Sequence, residues 1–403
     1  MYCDFFSVPR RSVAPPLMER VVRETVSQGL RFLEAAGPGA RVETIFIGGG
    51  TPSCLPTGLL GELLGAFRPC TPSEWTVESN PETLTVSFLD ACEAAGVNRL
   101  SVGIQTLHPR HLATLHRHAT AEHARAALSL LRRRWKGRLN LDFITGIPGQ
   151  TVPELLEDLA VADGSWPDHV SLYQLTVEPG TALEAQVQRG TMQANPSALD
   201  EELWLAGRDQ LQARGYAQYE VSNFSLAGKE CAHNLRYWRL EPYWGAGPGA
   251  VSTVPGAWAG AVAGRPGLSS STVVRLSVPR DIHGFLVGAS AAWGMDVEVI
   301  RPSDFLLECL MMGLRMSRGI EEGTLRSRFG GGLDELVPGL WDEWVRRGHA
   351  APLEAAGGVR RLTPQGIMIL DHLLGTVMDR LPRNQVDAAG VRWPDQGPVH
   401  GIA

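Results

Sequence analysis

The chain has 403 residues, 44% of them hydrophobic and 20% charged, with 45 glycines and 27 prolines. That length exceeds what one hydrophobic core usually holds, so a large α/β domain with a smaller one is expected, and the glycine and proline content lies below that of low-complexity disorder. A net charge of −6, with Lys136 and Lys229 the only lysines, argues against a general nucleic-acid binder.

From Arg41 to about Gln174, short β-rich runs alternate with amphipathic stretches: Thr44 to Ile47, Thr76 to Glu78, Leu100 to Gln105, Leu139 to Ile144 and Val170 to Leu175. Such alternation predicts a parallel sheet with crossover helices. The first of these helices is read from Leu17, Val21, Val22, Val26, Leu30 and Leu33. A further run, Tyr219 to Phe224, supplies a candidate sixth strand, giving a first domain over residues 1–250. The uncharged run from Pro242 to Gly264 is long enough to span a bilayer, but its prolines and glycines make it a poor membrane helix, and a buried loop region is expected there.

Residues 251–300, rich in Gly, Pro and Ser at their start, read as a connecting segment. Residues 301–380 follow as helix (302 to 315), helix (321 to 329), helix (333 to 346), a pair of short strands (350 to 362) and a last helix (364 to 376), an order that resembles a winged helix. This segment holds ten arginines and no lysine against eleven acids, so it lacks a basic footprint for DNA and is expected to be a packing or partner module. The tail, 381–403, with Pro382, Pro394 and Pro398, is expected to be disordered.

Polar residues stand at the C-terminal end of nearly every strand of the first domain: Gly49, Gly50 and Thr51, then Glu78 and Asn80, Gln105, Asp142, and Tyr173 with Gln174. Loops at that edge of parallel sheets build ligand sites. Glycines there let backbone groups approach a ligand, although a tight strand-to-loop turn accounts for them equally well. Glu78, Gln105, Arg117 and Asp142 taken singly could each be a strand-end hydrogen bond or a helix cap. Their joint placement points to one pocket. The histidines at 108, 111, 116, 118 and 123 keep no single helical face and read as scattered solvated side chains. The cysteines at 3, 54, 70, 92, 231 and 309 form no CxxC pair, and no basic-then-apolar signal segment opens the sequence, so reduced cytoplasmic thiols are expected.

The opening MYCDFFS, with GGGTPS at 48–53, ESNPET at 78–83, VGIQT at 102–106, LDFITGIPGQT at 141–151, YEVSNF at 219–224 and HNLRYW at 233–238, closely resembles the radical S-adenosylmethionine (SAM) proteins of the oxygen-independent coproporphyrinogen III oxidase family. The HNxxYW element is most similar to the haem-chaperone (HemW-like) subfamily. The resemblance implies a partial (β/α)6 TIM-like barrel, an α/β fold, and a small C-terminal winged-helix-like domain.

It further implies that Cys3 is the last thiolate of a CxxxCxxC loop holding a [4Fe–4S] cluster. Gly49, Gly50, Thr51, Glu78, Gln105, Arg117 and Asp142 fall at SAM-contacting positions, and His233, Asn234, Tyr237 and Trp238 at a haem motif. Val251 stands where relatives commonly carry His. The other two cluster cysteines would precede Met1, so either the natural protein starts further upstream, with an in-frame Cys codon directly before Met1 and the barrel's first strand beyond it, or the lineage has lost its cluster. The first account is preferred, because Tyr2, Cys3 and the pocket residues persist in register. The remaining cysteines have the wrong spacing and read as buried core residues.

The expected function is a cytoplasmic haem chaperone delivering haem to an acceptor protein, with the cluster and SAM as accessory cofactors. The rivals are oxidative decarboxylation of porphyrinogen propionates and a cluster-less binding relic. Nucleic-acid and membrane-spanning roles are not expected.

Overall fold

Parallel pairing is dictated by strands that are apolar on the outward face and joined by helices. The computed structural model describes residues 8, 12–37, 41–265, 267–288, 292–353 and 358–393. Its principal sheet has the order β1-β2-β3-β4-β5-β7-β6, with β1 (Thr44–Ile47), β2 (Glu74–Ser79), β3 (Arg99–Gln105), β4 (Arg138–Thr145), β5 (His169–Gln174), β6 (Ala217–Gln218) and β7 (Asn223–Ser225). β2 to β5 are mutually parallel. The expected sixth strand turns back instead, because β7 pairs antiparallel with both β5 and β6.

Strand parity divides the sheet. Trp75, Val77, Leu100, Val102, Leu139, Leu141, Phe143, Val170 and Leu172 are all buried, and crossover helices such as Thr57–Phe67, Val86–Ala95 and Ala121–Arg134 bury their own leucines, alanines and Phe88. The alternate positions carry Glu74, Thr76, Glu78, Arg99, Ser101, Asn140, Asp142, His169 and Ser171, a polar face that must satisfy itself or a ligand. Local signals set the helix ends. The Thr85 hydroxyl accepts from the Phe88 N–H to start Val86–Ala95, and Gly96 at φ 96° ends it.

The chain divides into two units: Met1–Pro15 with Ile45–Cys231, and Pro16–Thr44 with Ala232–Ala403. This corrects the sequence-based domain scheme at three places. The helix Pro15–Ala35 is no crossover of the barrel: Leu17 and Leu30 are exposed, while Phe32 is fully buried and stacks on Trp244 at 4.3 Å. Residues 251–300 are no mere connection, since β8 (Val251–Pro255), β9 (Val273–Ser277) and β10 (Asp296–Ile300) form an antiparallel sheet of order β10-β9-β8. The supposed buried loop accordingly contains β8 and the helix Gly256–Ala263, whose Trp258 and Val262 join the Phe32 and Trp244 core.

The tail also carries structure. Helix Arg383–Ala389 buries Val386, and Val391 is buried beyond it, in the core formed by Phe305, Leu310, Phe329, Trp341 and Trp344. Prolines placed before the helix do not prevent it, because Pro382 occupies its N-cap. Residues 394–403 lie outside the described part. In the C-terminal segment, helices Pro302–Gly313, Glu322–Phe329, Leu340–Arg346 and Leu370–Arg380 accompany a two-stranded pairing of β11 (Ile320–Glu321) with β12 (Val359–Arg360); the strand pair expected within 350–362 is instead a single antiparallel bridge between Ala350 and Leu362, and the pairing strand comes from before the second helix.

Because Phe32 packs within the core of the second unit, Phe32→Ala should destabilise that unit by about 3–5 kcal/mol through cavity formation. Urea unfolding followed by tryptophan fluorescence measures this, and a loss under about 1 kcal/mol would contradict the packing described.

Candidate functional site

The loop after β1 is shaped by its glycines. A Cβ on Gly48 would lie 2.6 Å from both Cδ and Oε2 of Glu78, so only glycine lets that carboxylate approach the backbone. Gly49, at φ 79°, donates its N–H to Glu78 Oε2 at 3.2 Å. Gly48, Gly49 and Gly50 are exposed, leaving main-chain groups open to a ligand.

Thr51, Arg117 and Gln105 converge through two residues that lie inside the sequence motifs but were not singled out as ligands. Asn80 Nδ2 donates to Thr51 Oγ1 at 3.1 Å, and Asn80 Oδ1 accepts from Arg117 Nη2 at 2.8 Å. Arg117 Nη2 also donates to the Gly103 carbonyl at 3.1 Å, while its Nε is buried without a hydrogen-bond partner among the described residues. A Cβ on Gly103 would stand 2.7 Å from Gln105 Nε2, 3.2 Å from Arg117 Nη2 and 3.3 Å from Asn80 Oδ1, so Gly103 is the gap into which three polar side chains fit. The register of β3 against β4 slips between Gly103 and Gln105, and Gln105 has φ 67°. This bulge turns its amide back over the sheet.

Asp142, on β4, accepts from Asn140 Nδ2 at 2.7 Å and from Ser101 Oγ at 3.4 Å. Burial raises its proton affinity, opposed by hydrogen bonds from Ser171 and Asn140 and by the charge of Arg99. Glu78 is pushed up to about 7, first by burial and then by repulsion from Asp142, with the Gly49 N–H and Arg99 pulling the other way. The pair therefore favours a ligand that brings positive charge or hydroxyl donors. The residues fit SAM on this ground: open glycine backbone, two carboxylates short of cations, an amide, and a guanidinium with an unused donor.

The structure thus gathers Thr51, Glu78, Gln105, Arg117 and Asp142 with Gly49 and Gly50 at one sheet edge. The His233 motif lies in the second unit, and Cys3 lies outside the described residues. Among the described residues, no group of three or more His, Cys, Asp or Glu is arranged to hold a metal ion. Cys92, Cys231 and Cys309 are buried as expected, whereas Cys54 and Cys70 are only half-buried.

The histidine run is not uniformly solvated. His111 is 1% exposed, with Nε2 3.3 Å from Glu154 Oε2, and His123 Nδ1 accepts from the Thr120 N–H in a capping box. The GIPGQ segment proves to be a structural staple: Gln150 Oε1 accepts from the Gly146 and Ile147 N–H groups at 2.9 and 3.3 Å.

In the second unit, helix Ala232–Trp238 carries the expected haem residues. His233 is 2% exposed, its Nδ1 lies 2.9 Å from Thr44 Oγ1, and its ring meets Tyr237 edge-on at 5.1 Å, with Tyr243 beyond. Asn234, Tyr237 and Trp238 are half-buried. Arg236 on the same helix forms ion pairs with Glu43 and Glu241.

Because the Glu78 carboxyl has a folded pKa of about 7 against an ordinary 4.5, its ionisation opposes folding in full above about pH 7 and not at all below about pH 4.5. Glu78→Gln should therefore raise the melting temperature at pH 8 and leave it unchanged near pH 4.5. Differential scanning fluorimetry reads both, and an equal shift at the two pH values would assign the effect to packing rather than charge.

The radical SAM superfamily model matches residues 1–162. The chain is 31% identical over 385 residues to "Heme chaperone HemW" of Escherichia coli, covering 93% of each chain. It is 40% identical over 254 residues to "Radical S-adenosyl methionine domain-containing protein 1, mitochondrial" of Mus musculus, where it spans 62% of this chain and just 56% of that relative. Among solved structures it resembles the coproporphyrinogen III oxidase of Escherichia coli at a TM-score of 0.70 and 15% identity, covering 96% of this chain and 86% of that one, a likeness of fold. The chain belongs to the radical SAM superfamily, in the HemW-like group.

Proposed function

We propose that this chain is a haem chaperone of the radical SAM class, acting in the cytoplasm, which binds haem and delivers it to an acceptor protein. The observation that carries this reading is the identity to a haem chaperone along 93% of both chains, with the HNxxYW element included. No helix among the described residues is long and apolar enough to cross a membrane.

Superfamily membership implies SAM and a [4Fe–4S] cluster as cofactors, and together these supply one-electron chemistry when bound. In this chain, the backbone of Gly49 and Gly50 with Thr51 would hold the methionine end. Glu78 and Asp142 would accept hydrogen bonds from ribose hydroxyls or the ammonium group, and Gln105 and Arg117 would meet the remaining polar groups. Cys3 would be one thiolate ligand of the cluster. Arg117 can serve a carboxylate because Asn80 and the Gly103 carbonyl hold one end of its guanidinium while Nε remains.

For haem, His233 is the proposed iron ligand, with Asn234, Tyr237 and Trp238 beside it. Its Nδ1 is engaged by Thr44, so ligation falls to Nε2. The ring is 2% exposed, so haem would bind only where its neighbours open to it. Haem titration followed at the Soret band should show saturable binding, weakened about tenfold or more in His233→Ala if this imidazole would hold the iron. An unchanged affinity would remove His233 from the site. Anaerobic incubation with SAM, reductant and coproporphyrinogen should yield no protoporphyrinogen, and product formation would favour the decarboxylase reading.

A further inference from the structure

The polar face of the sheet continues beneath Asp142 as a line of hydrogen bonds, and their direction can be worked out atom by atom. Asn140 Nδ2 lies 2.7 Å from Asp142 Oδ1 and 2.8 Å from Ser101 Oγ. In its ionised form, which the charge of Arg99 and the hydrogen bonds from Ser171 and Asn140 favour against burial, Asp142 only accepts, so the amide nitrogen faces it, since the reversed amide would set oxygen against oxygen. This leaves Asn140 Oδ1 as the acceptor for His169 Nδ1 at 2.6 Å, with Ser171 Oγ at 3.2 Å. His169 is 1% exposed, and burial together with the charge of Arg99 pushes its pKa well down, so the ring is neutral and carries one proton. That proton must sit on Nδ1, which makes Nε2 an acceptor, and the Tyr219 hydroxyl 2.8 Å away is its donor.

We propose that Tyr219, His169 and Asn140 form a one-way hydrogen-bond chain that ends on Asp142 and keeps its carboxylate aimed into the pocket, so that His169 and Asn140 are positioning residues for the bound nucleoside ligand. The inference deepens the reading of Asp142 as a SAM contact and rests on it. The direction is fixed at one end, by the acceptor-only carboxylate. Asn140, His169 and Tyr219 each have one donor arrangement compatible with their neighbours, whereas the single Ser171 hydroxyl proton can turn to Asn140 Oδ1 or to Asp142, so the side chain of Asp142 is not free to rotate without unpairing buried atoms behind it. A ligand hydroxyl or ammonium then meets an acceptor already in place, and less ordering is left to binding.

Two measurements test this. In the wild-type protein labelled with 15N-histidine, long-range heteronuclear NMR should show His169, assigned by its loss in a His169 variant, as the Nδ1–H tautomer at pH 7 with no titration down to pH 5. An Nε2–H tautomer would overturn the chain. Calorimetric titration with SAM should give an affinity about tenfold weaker in Asn140→Leu and about fivefold weaker in His169→Leu, as expected for loss of support to a charged acceptor. His169→Asn, whose side-chain N–H can replace Nδ1–H, should recover to within about twofold. Equal losses in His169→Leu and His169→Asn would overturn the proposal.

Tyr219→Phe keeps the ring and removes only the last hydroxyl. If the His169 variants do not fold, it should move the His169 nitrogen shifts and weaken SAM binding about twofold, and unchanged shifts would overturn the chain. Asp142→Asn separates the two levels. If its SAM affinity equals that of the wild type, the reading of Asp142 as a ligand contact fails, whereas a loss there beside indistinguishable His169→Leu and His169→Asn sinks only the chain.

Discussion

Arg99 is the constraint on which the pocket depends. It is 2% exposed on the inward face of the sheet, and a buried guanidinium costs several kcal/mol unless its surroundings answer its charge. They do so on several sides. Glu74 and Asp142 attract it, Thr76 Oγ1 lies 3.4 Å from Nη1, and Glu74 in turn accepts a hydrogen bond from the Cys231 thiol. The same cation lowers the proton affinity of Glu78 and Asp142 and disfavours protonation of His169. One buried charge thus biases three titratable groups towards the states the site needs: two carboxylates able to ionise, and an imidazole that stays neutral.

The fold was legible in the sequence where hydrophobic pattern decides it. The first five strands fall within a few residues of their expected ends, because each is a short apolar run closed by polar or glycine residues. What pattern could not show is which distant segment a helix packs on. Helix Pro15–Ala35 has crossover periodicity, but its burial is decided by Phe32 meeting Trp244, more than two hundred residues on. The same holds for residues 251–300, whose glycines and prolines read as linker although Val273 and Ile300 belong to the core of the C-terminal helices.

The candidate ligand residues were legible from motif resemblance and strand ends, while their supporting residues were not. Gly103 and Asn80 sit inside quoted motifs, yet nothing in a string of letters says that a missing Cβ makes room for Gln105 and Arg117. Arg99, Asn140 and His169 lie at the inward parity of their strands, and that alternation was the available signal. The burial of His111 is not visible in the pattern of its own helix, because its partner Glu154 comes from another one.

The second unit pairs its arginines with its own carboxylates, one of them buried and the others at the surface. Arg360 is 1% exposed, pairs with Glu322 at 2.7 Å and Asp334 at 2.6 Å, and lies over the Trp341 ring. Arg326, Arg347 and Arg380 meet Glu335 or Glu343. Arginines that in a DNA-reading winged helix would face phosphate are here engaged by carboxylates of the same segment, so the resemblance is one of element order, and the chemistry follows the pairing. In the barrel the opposite imbalance holds. Glu78 and Asp142 outnumber the cations near them, and the folded chain carries the cost of keeping them together. A pocket that retains such strain without a ligand gains it back when a cationic one arrives, which is how a site can hold affinity in reserve at the expense of stability.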